Sequence, residues 1–305
     1  MDTHLPIAGI TVNFFVLLSL GAFSGFISGL YGIGGGIIAT PVMVFFGIPS
    51  NIVVGTASFQ LLGSAIAGTM RNMVGKFIDF KAASVMLIGG LAGSTMGAQL
   101  LMLATKKGTD DLIVTILFII IMVSVLVPMC TEMMQTFITK QSTEKKLHQL
   151  QIVTNRRLAG HSGKPFMVYS RIAQIEYNIF IMIFIGLVVG LCSGLIGIGG
   201  GIISIPIMTY FLGIPFRIAS GIALFQVVVV SVNNLLWHVK AGNVDIVLGL
   251  VLLLSSTFTV QLGSVFQSKL RPKVLQMTFT IILTVILVLF LVRLYKQPSS
   301  LLMVG

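Results

Sequence analysis

Two glycine clusters with nearly the same sequence carry the clearest chemical signal in this chain. Residues 28–38 read S-G-L-Y-G-I-G-G-G-I-I and residues 193–203 read S-G-L-I-G-I-G-G-G-I-I, so ten of eleven positions agree. Clustered glycines break a helix because they stabilise it poorly and tolerate positive φ. A new helix beginning inside each cluster would present unpaired N–H groups and its positive dipole end at the break. Two such ends facing one cavity would bind an anion through the backbone.

The central glycines therefore form the candidate substrate-binding site. An alternative is that these glycines only allow tight helix packing, as small residues do in membranes. Two nearly identical copies, each followed by an apolar run too short to cross a membrane, favour the binding site. The spacing does not give the G-x-G-x-x-G pattern of dinucleotide-binding folds. The candidates are Gly34, Gly35, Gly36, Gly199, Gly200 and Gly201.

Four polar residues at matched positions of the repeat complete the candidate site. Gln60 and Gln226 lie inside apolar segments, where a buried amide either lines a path or makes an interhelical hydrogen bond. Ser28 and Ser193 begin the two glycine clusters. Their hydroxyls could donate to an anion, but bonding back to their own helix is the preferred interpretation.

Charged residues near the segment ends have plainer interpretations. Asp79 and Asp245 each follow a glycine-containing turn, and an N-cap role is preferred to proton coupling. Arg71, Arg217 and His238 could attract an anion, but anchoring at the membrane interface is the preferred interpretation.

The repeat extends well beyond the glycine clusters. Gly47-Ile48-Pro49 matches Gly213-Ile214-Pro215 after one inserted residue, and the match continues through the two glutamines to Gly97 and Gly263. Homologous halves with an odd number of crossings must insert in opposite senses, as in many secondary transporters. The sequence therefore predicts two inverted repeats of five segments each.

Apolar runs define the segments that would hold these residues. About 20 apolar residues are needed to cross the hydrocarbon core as a helix. Two further runs, 35–46 and 200–212, are too short to cross alone and follow the glycine clusters. The long runs lie near 12–31, 52–70, 82–104, 112–129, 178–195, 218–237, 244–265 and 274–294.

A hydrophilic stretch divides the chain into three predicted parts. These are a first transmembrane repeat (1–137), a basic linker (138–177) and a second transmembrane repeat (178–305). Lysine and arginine concentrate in the linker and in the loops that share its side, so the positive-inside rule predicts a cytoplasmic linker and external termini. The linker cations are Lys140, Lys145, Lys146, Arg156, Arg157, Lys164 and Arg171.

Composition excludes several classes of protein. Hydrophobic residues make up 56% and charged residues 9% of the 305 residues, whereas soluble domains carry about 25% charged residues. The net charge of +11 is explained by basic loops, and no basic stripe indicates nucleic-acid binding. The two cysteines give neither a disulfide framework nor metal-ligand spacing. We expect an all-α polytopic membrane protein with no cofactor, no metal and no enzymatic activity.

The motif resembles a known family of membrane permeases. The repeated G-L-x-G-I-G-G-G-I-I-x-x-P, followed by G-I-P and later G-x-A-x-F-Q, is similar to the TauE/SafE sulfite exporter family. The resemblance covers both halves. It implies transport of small sulfur-containing anions, such as sulfite or organosulfonates, with the glycine motifs near the substrate path. The long basic linker departs from the short connection expected.

These observations together predict a permease for a small oxyanion in a bacterial inner membrane. The expected partners are the anion, the lipid bilayer and a coupling ion, either a proton or sodium. An anion channel using the same glycines, and a membrane sensor or scaffold using the linker, remain alternatives.

Overall fold

The computed structural model describes residues 2–7, 9–138, 166–170, 172–173, 175–270 and 272–296. The seven basic residues of the predicted linker lie outside this part of the chain. The first half holds β1 (Asp2–Leu5), β2 (Ile10–Asn13), α1 (Phe14–Tyr31), α2 (Gly36–Phe45), α3 (Ser50–Val74), α4 (Phe80–Lys106) and α5 (Asp110–Ile138). The second half holds β3 (Met167–Ser170), β4 (Ile175–Asn178), α6 (Ile179–Ile196), α7 (Gly201–Pro206, continuing as a π-helix over Ile207–Phe211), α8 (Phe216–Lys240), α9 (Ile246–Lys269) and α10 (Pro272–Lys296).

The helices confirm the predicted all-α membrane fold. Within the described residues, seven helices are long and apolar enough to cross a bilayer: α1, α3, α4, α5, α6, α8 and α9. The short runs after the glycine clusters become α2 and α7. The predicted segment 274–294 falls on α10, whose described apolar part is Met277–Val292. The protein is therefore an integral, multi-pass membrane protein.

Two small β-hairpins were not predicted from the sequence. β1 pairs with β2 and β3 pairs with β4, both antiparallel, and each hairpin leads directly into α1 or α6. Asn13 and Asn178 end the hairpins and cap these helices by accepting hydrogen bonds from Phe15 N and Phe180 N. The second hairpin lies inside the stretch predicted as linker, at the place where the first hairpin stands in the other half.

Glycine seams join each half to the other. α1 packs along α9, where a Cβ at Gly25 would lie 2.4 Å from Ser256 O and one at Gly29 would lie 2.0 Å from Val260 O. α6 packs along α4 in the same way, with a Cβ at Gly190 reaching 2.2 Å from Gly90 O. Backbones can approach this closely only where side chains are absent, as small residues allow in membranes. Residue numbers rise together along both seams, so each pair of helices is parallel.

Two faces of the bundle can be assigned from hydrogen bonds between helix ends. Ile7 N donates to Asp245 Oδ2 at 3.0 Å, and Ser50 N donates to Asp111 Oδ1 at 2.9 Å. Asn51 Nδ2 donates to Asn243 Oδ1 at 3.3 Å. The first hairpin and the starts of α3, α5 and α9 therefore share one face, which we call the N-terminal face. The opposite face carries the start of α4 and the second hairpin, which contact each other through Asp79 and Ser170; we call it the linker face.

The helix directions support the inverted arrangement, which stays a prediction. α1 runs parallel to α9 and away from the N-terminal face, whereas its counterpart α6 runs parallel to α4 and away from the linker face. Matched helices of the two halves thus point in opposite directions, as inverted repeats require.

Asp79 and Asp245 clamp the two halves together. Asp79 Oδ1 accepts from Lys81 N and Ala82 N at the start of α4, and its other oxygen accepts from Ser170 Oγ in the hairpin of the second half. Asp245 mirrors this arrangement. Its Oδ1 accepts from Leu248 N, while Oδ2 accepts from Ile7 N in the first hairpin. The predicted N-cap role is therefore confirmed for both residues, and each carboxylate also holds the hairpin of the opposite half.

Tyr177 lies buried beside the clamp of the second hairpin. Only 2% of its surface is exposed. Burial, together with the nearby negative charge of Asp79, raises the pKa of this phenol to about 12. Both effects disfavour a second anion beside the carboxylate, so the phenol stays neutral.

We predict that the clamps stabilise the fold more than ordinary helix caps do. Asp79→Ala and Asp245→Ala each remove a cap and a charge-assisted contact between the halves, at a cost of about 2–4 kcal/mol. The matched controls Asn13→Ala and Asn178→Ala remove a cap alone, at about 1 kcal/mol. Thermal unfolding in detergent should show a larger fall in Tm for the aspartate variants. Equal falls in Tm would contradict the clamp.

Candidate functional site

The two glycine clusters meet at the centre of the molecule. A Cβ at Gly36 would lie 2.5 Å from Gly197 O, and a Cβ at Gly201 would lie 2.4 Å from Ile33 O. Neither contact leaves room for any side chain. The first glycine of each short helix therefore packs against the break of the other half, and these two positions serve packing directly.

Each cluster breaks its helix as the sequence predicts. Gly32 (φ 67°) and Gly197 (φ 72°) end α1 and α6 in the left-handed conformation, and their N–H groups donate to Ser28 O and Ser193 O. Two residues later, Gly34 (φ 84°) and Gly199 (φ 79°) again have positive φ. Such conformations favour glycine because other residues would be strained there.

Gly35 and Gly200 differ although they occupy matched positions. Gly200 has φ 72°, and a Cβ there would lie 2.4 Å from Val189 Cγ1. Gly35 has φ −74°, and its Cβ would meet only Gln60 Nε2 at 3.2 Å and Ser24 O at 3.3 Å. The strain expected for a substituted glycine at positive φ therefore applies to Gly200 and not to Gly35.

An apolar cluster fills the space beside the glycines. Leu61 and Val227, which are matched by the repeat, both lie against Gly34 and Gly199. Together with Ala65 and Leu224 they form a separate buried cluster, which we call the central plug. Leu224 of the plug and Gly32 at the end of α1 also line the cavity described below. No sequence pattern indicated this cluster, because apolar residues on apolar helices look alike.

The two glutamines bridge helices and keep one oxygen unpaired. Gln60 Nε2 donates to Ser24 Oγ at 2.5 Å, and the Ser24 hydroxyl donates to Gly21 O. Gln226 Nε2 approaches Gly186 O at 3.5 Å. Both Oε1 atoms are buried without a partner among the described residues. The interhelical hydrogen bond is therefore present, and each glutamine keeps an unused acceptor, which for Gln60 lies close to Gly35.

The two serines of the motif do not behave alike. Ser28 Oγ is buried and makes no hydrogen bond within the described chain. Ser193 Oγ accepts from Asn234 Nδ2 at 3.3 Å. The prediction that the hydroxyl bonds back to its own helix is wrong for Ser28, a residue that lines a cavity.

That cavity lies on the linker face and has a volume of about 980 Å³. It is bounded by the ends of α1, α3 and α9 and by the start of α8. Of the predicted site residues only Ser28 lines it, together with Gly29 and Gly32 of the same motif. The polar lining consists of Ser28, Ser220, Ser264, Thr257, Asn72, Gln261, Gln267, Arg71 and Arg217.

The cavity is electrostatically suited to anions. Arg71 and Arg217 are exposed and both line it, and none of the described residues of its wall is acidic. The Arg217 guanidinium lies 5.6 Å from the centre of the Phe77 ring, which holds it at the cavity wall by a cation–π contact. Two uncompensated cations raise the local concentration of small anions. His238, the third residue noted near a segment end, is buried at the N-terminal face instead.

A multi-pass bundle with broken central helices and a polar cavity defines a membrane transporter, and comparison with known proteins agrees. Residues 17–290 match the family described as Sulfite exporter TauE/SafE. The chain belongs to this family. No solved structure matches it significantly.

Curated relatives span nearly the full length of the chain. It is 25% identical to the probable membrane transporter protein YunE of Bacillus subtilis over 283 residues, covering 90% of this chain and 96% of that protein. It is 27% identical to a probable membrane transporter protein of Methanocaldococcus jannaschii over 285 residues, covering 88% and 92%. The family and these relatives are described as transporters, so the protein is a membrane transporter.

We predict that neighbouring glycines of one motif separate folding from transport. Gly36→Ala forces a methyl group into Gly197 O, so folded protein should fall sharply, since overpacking typically costs about 1–3 kcal/mol. Gly35→Ala fits with a shift of a few tenths of an ångström at Gln60, so the protein should fold but transport poorly. The measurement pairs transport rate with the amount of detergent-stable protein. Normal transport by folded Gly35→Ala protein would remove this glycine from the substrate path.

Proposed function

We propose that this transporter is a permease for a small oxyanion of sulfur, such as sulfite or an organosulfonate. The observation that carries the proposal is the cavity of about 980 Å³ on the linker face, with Arg71 and Arg217 in its wall and no acidic residue among its described lining. The cavity ends at Ser28 and Gly32, the start of the glycine motif. The family description, which names sulfite, favours sulfur among the possible oxyanions.

The cavity acts as a vestibule and does not itself form the binding site. Its volume is far larger than one small anion, and its arginines are exposed, so both can attract an anion without releasing their water. Guanidinium groups suit oxyanions because two parallel N–H donors match two oxygens. Specific binding of an anion then requires a narrower and less hydrated site, deeper in the protein than the vestibule.

The narrower site lies at the glycine breaks beyond the central plug. There the first amides of α2, at Gly36 and Ile37, can donate to an oxyanion, and Ser28 lies at the boundary with the vestibule. Gln60 and Gly35 lie beside them. Movement of Leu61 and Leu224 would connect this site to the vestibule. The matched residues Ser193, Gln226, Gly199, Gly200 and Gly201 serve the same site from the second half.

The unpaired glutamine oxygens add a restriction on the substrate. Gln60 Nε2 is held by Ser24, whose own hydrogen is directed to Gly21 O, so the free atom facing outward is an acceptor. An acceptor beside an anion is satisfied by a proton on the substrate or by a coupling cation. Hydrogen sulfite and the amino group of an aminosulfonate both carry such a proton.

The proposed membrane orientation places the linker in the cytoplasm of a bacterial cell. Positive residues concentrate on the linker face, including both vestibule arginines, as the positive-inside rule requires. The vestibule then opens to the cytoplasm, and both termini lie outside. The central plug argues against a continuously open anion channel, because Leu61 and Val227 are almost fully buried.

Ligand-dependent stabilisation of the purified protein tests the substrate class. Sulfite, taurine, isethionate, thiosulfate, sulfate, choline and glucose are compared by thermal unfolding in detergent. A ligand at 100 times its Kd stabilises the folded state by about 2.7 kcal/mol, which is a readily measured rise in Tm. We expect stabilisation by sulfur oxyanions alone. Stabilisation by choline or glucose, with none by any oxyanion, would contradict the proposal.

We predict that the vestibule arginines govern anion capture and leave the fold intact. Arg71→Gln and Arg217→Gln should raise the KM for the anion several-fold at low salt, with a smaller effect at high salt, because screening weakens exposed charges. Lys81→Gln is the matched control, since Lys81 is exposed on the same face outside the cavity. An unchanged KM in the Arg71→Gln/Arg217→Gln double variant, or an equal rise in the control, would exclude the vestibule from the substrate path.

A further inference from the structure

The repeat assigns a counterpart, on the N-terminal face, to each residue of the vestibule. Ser28 corresponds to Ser193 at an offset of 165. After the inserted residue the offset is 166, so Asn72 corresponds to His238 and Gly68 to Asn234. Ser28, Gly68 and Asn72 all line the open vestibule. The counterparts should therefore line a second vestibule when the opposite face opens.

In this structure the counterparts are closed off from water. Ser193, Asn234 and His238 are each 0% exposed. Ser28 and Gly68 are buried as well, so the difference in exposure rests on His238 and its half-buried counterpart Asn72. Around them, Asn234 Nδ2 donates to Ser193 Oγ, and Asn51 Nδ2 donates to Asn243 Oδ1. The same conformation thus opens the linker face and closes the N-terminal face, which is the asymmetry expected of one state of a transporter that exposes its site to each side in turn.

Closure leaves several of these polar groups unsatisfied. Asn234 Oδ1 and both ring nitrogens of His238 are buried without a hydrogen-bond partner among the described residues. Each such group loses its hydrogen bonds with water on burial and gains none in return, which destabilises the closed state. An interface that served only to stay closed would hold apolar residues in these places, as the central plug does. Opening to water would satisfy all three atoms.

His238 is the titratable member of this set. α3 brings no titratable side chain to the N-terminal face, and α6 brings Cys192, next to Ser193. α4 ends on this face with Lys106, and α9 begins with Asp245, whose carboxylate accepts from Ile7 N and Leu248 N. On α8 itself, Lys240 is exposed and stacks on Trp237. No contact or hydrogen bond joins any of these charged groups to the imidazole in the described structure.

We propose that Ser193, Asn234 and His238 line a second vestibule that opens at the N-terminal face, and that His238 binds the coupling proton of the transporter there. A lone pair of Nδ1 or Nε2 accepts the proton from water in the open state. The imidazolium then needs water or a partner, and the closed state offers neither, so protonation favours the open conformation. Imidazole titrates near pH 6.5 in water, so acidification across this range drives the opening.

The assignment of the proton as the coupling ion rests on the proposed function. The opening of the N-terminal face can be tested without any substrate. Cys130 and Cys192 are replaced by alanine, and Asn234→Cys is introduced as a reporter in the buried face. Asn72→Cys is the control, because Asn72 lines the vestibule that is already open and is only half-buried. Maleimide labelling of both proteins in detergent is followed from pH 7.5 to 5.5. The ratio of the two rates removes the intrinsic pH dependence of the thiol reaction.

We expect this ratio to rise about tenfold on acidification, as a group with an ordinary imidazole pKa becomes protonated. The substitution His238→Asn introduces the residue found at the matched position 72. It should abolish the rise while the protein stays folded. If His238→Asn fails to fold, His238→Gln serves instead. A ratio independent of pH, or a rise that persists without His238, overturns the proposal. Because no anion is present, either result leaves the proposed substrate untouched.

Discussion

The whole arrangement depends on one backbone contact, the close approach of the two glycine clusters to each other. A broken helix exposes N–H and C=O groups that hydrocarbon cannot satisfy, so each break must be covered by protein or water. Here each break is covered by the other, with Gly36 against Gly197 O and Gly201 against Ile33 O. Neither half could bury its break alone. The contact requires both halves, inserted so that the two short helices meet.

Away from the glycine clusters, the glycine seams and the carboxylate clamps also join the two halves to each other. α1 packs on α9 and α6 on α4, so the outer helix of each half rests on the other half. Asp79 and Asp245 then tie each hairpin across the same boundary. The hydrophobic effect does not drive helix association in lipid, so close packing and hydrogen bonds must hold the bundle. Both kinds of contact concentrate where the two halves meet.

Sequence differences between the two halves make the two faces of the transporter chemically different. The positions of Arg71 and Asn72 in the first half hold Trp237 and His238 in the second. In the proposed mechanism one vestibule is basic and open, while its counterpart is closed and takes up a proton at His238. An anion is concentrated at the first face, and the second face can respond to pH. A transporter built from two identical halves would lack this distinction.

Most of the fold could be predicted from the sequence because the bilayer leaves few choices. Long apolar runs must be helices, and glycine clusters before short runs must be breaks, so the ten helices were located to within a few residues, except that α5 continues to Ile138, well past the predicted end at residue 129. The aspartate caps were also predicted, but their contacts with Ile7 and Ser170 were not, since nothing local indicates a partner far away in the chain. The hairpins were missed because four-residue strands give almost no periodic signal.

The candidate site was harder to predict. The motif indicated where the chain breaks, but of the predicted site residues only Ser28 lines the cavity, and Gly34 and Gly199 lie against the plug instead. Leu61 and Val227 carry no chemical signal, because a plug and a lipid-facing residue are both apolar. Which face is open depends on the conformation adopted, and a single sequence encodes both states.

Uptake of radiolabelled sulfite by proteoliposomes preloaded with unlabelled sulfite tests the central claim most directly, because exchange requires a site exposed to each side in turn. The account predicts saturable exchange that is inhibited by organosulfonates, is insensitive to choline and glucose, and is absent from liposomes without protein. No exchange of sulfite, taurine or isethionate by folded protein would contradict the account. Unsaturable flux that does not depend on the preloaded anion would contradict it equally, since it would indicate an open pore.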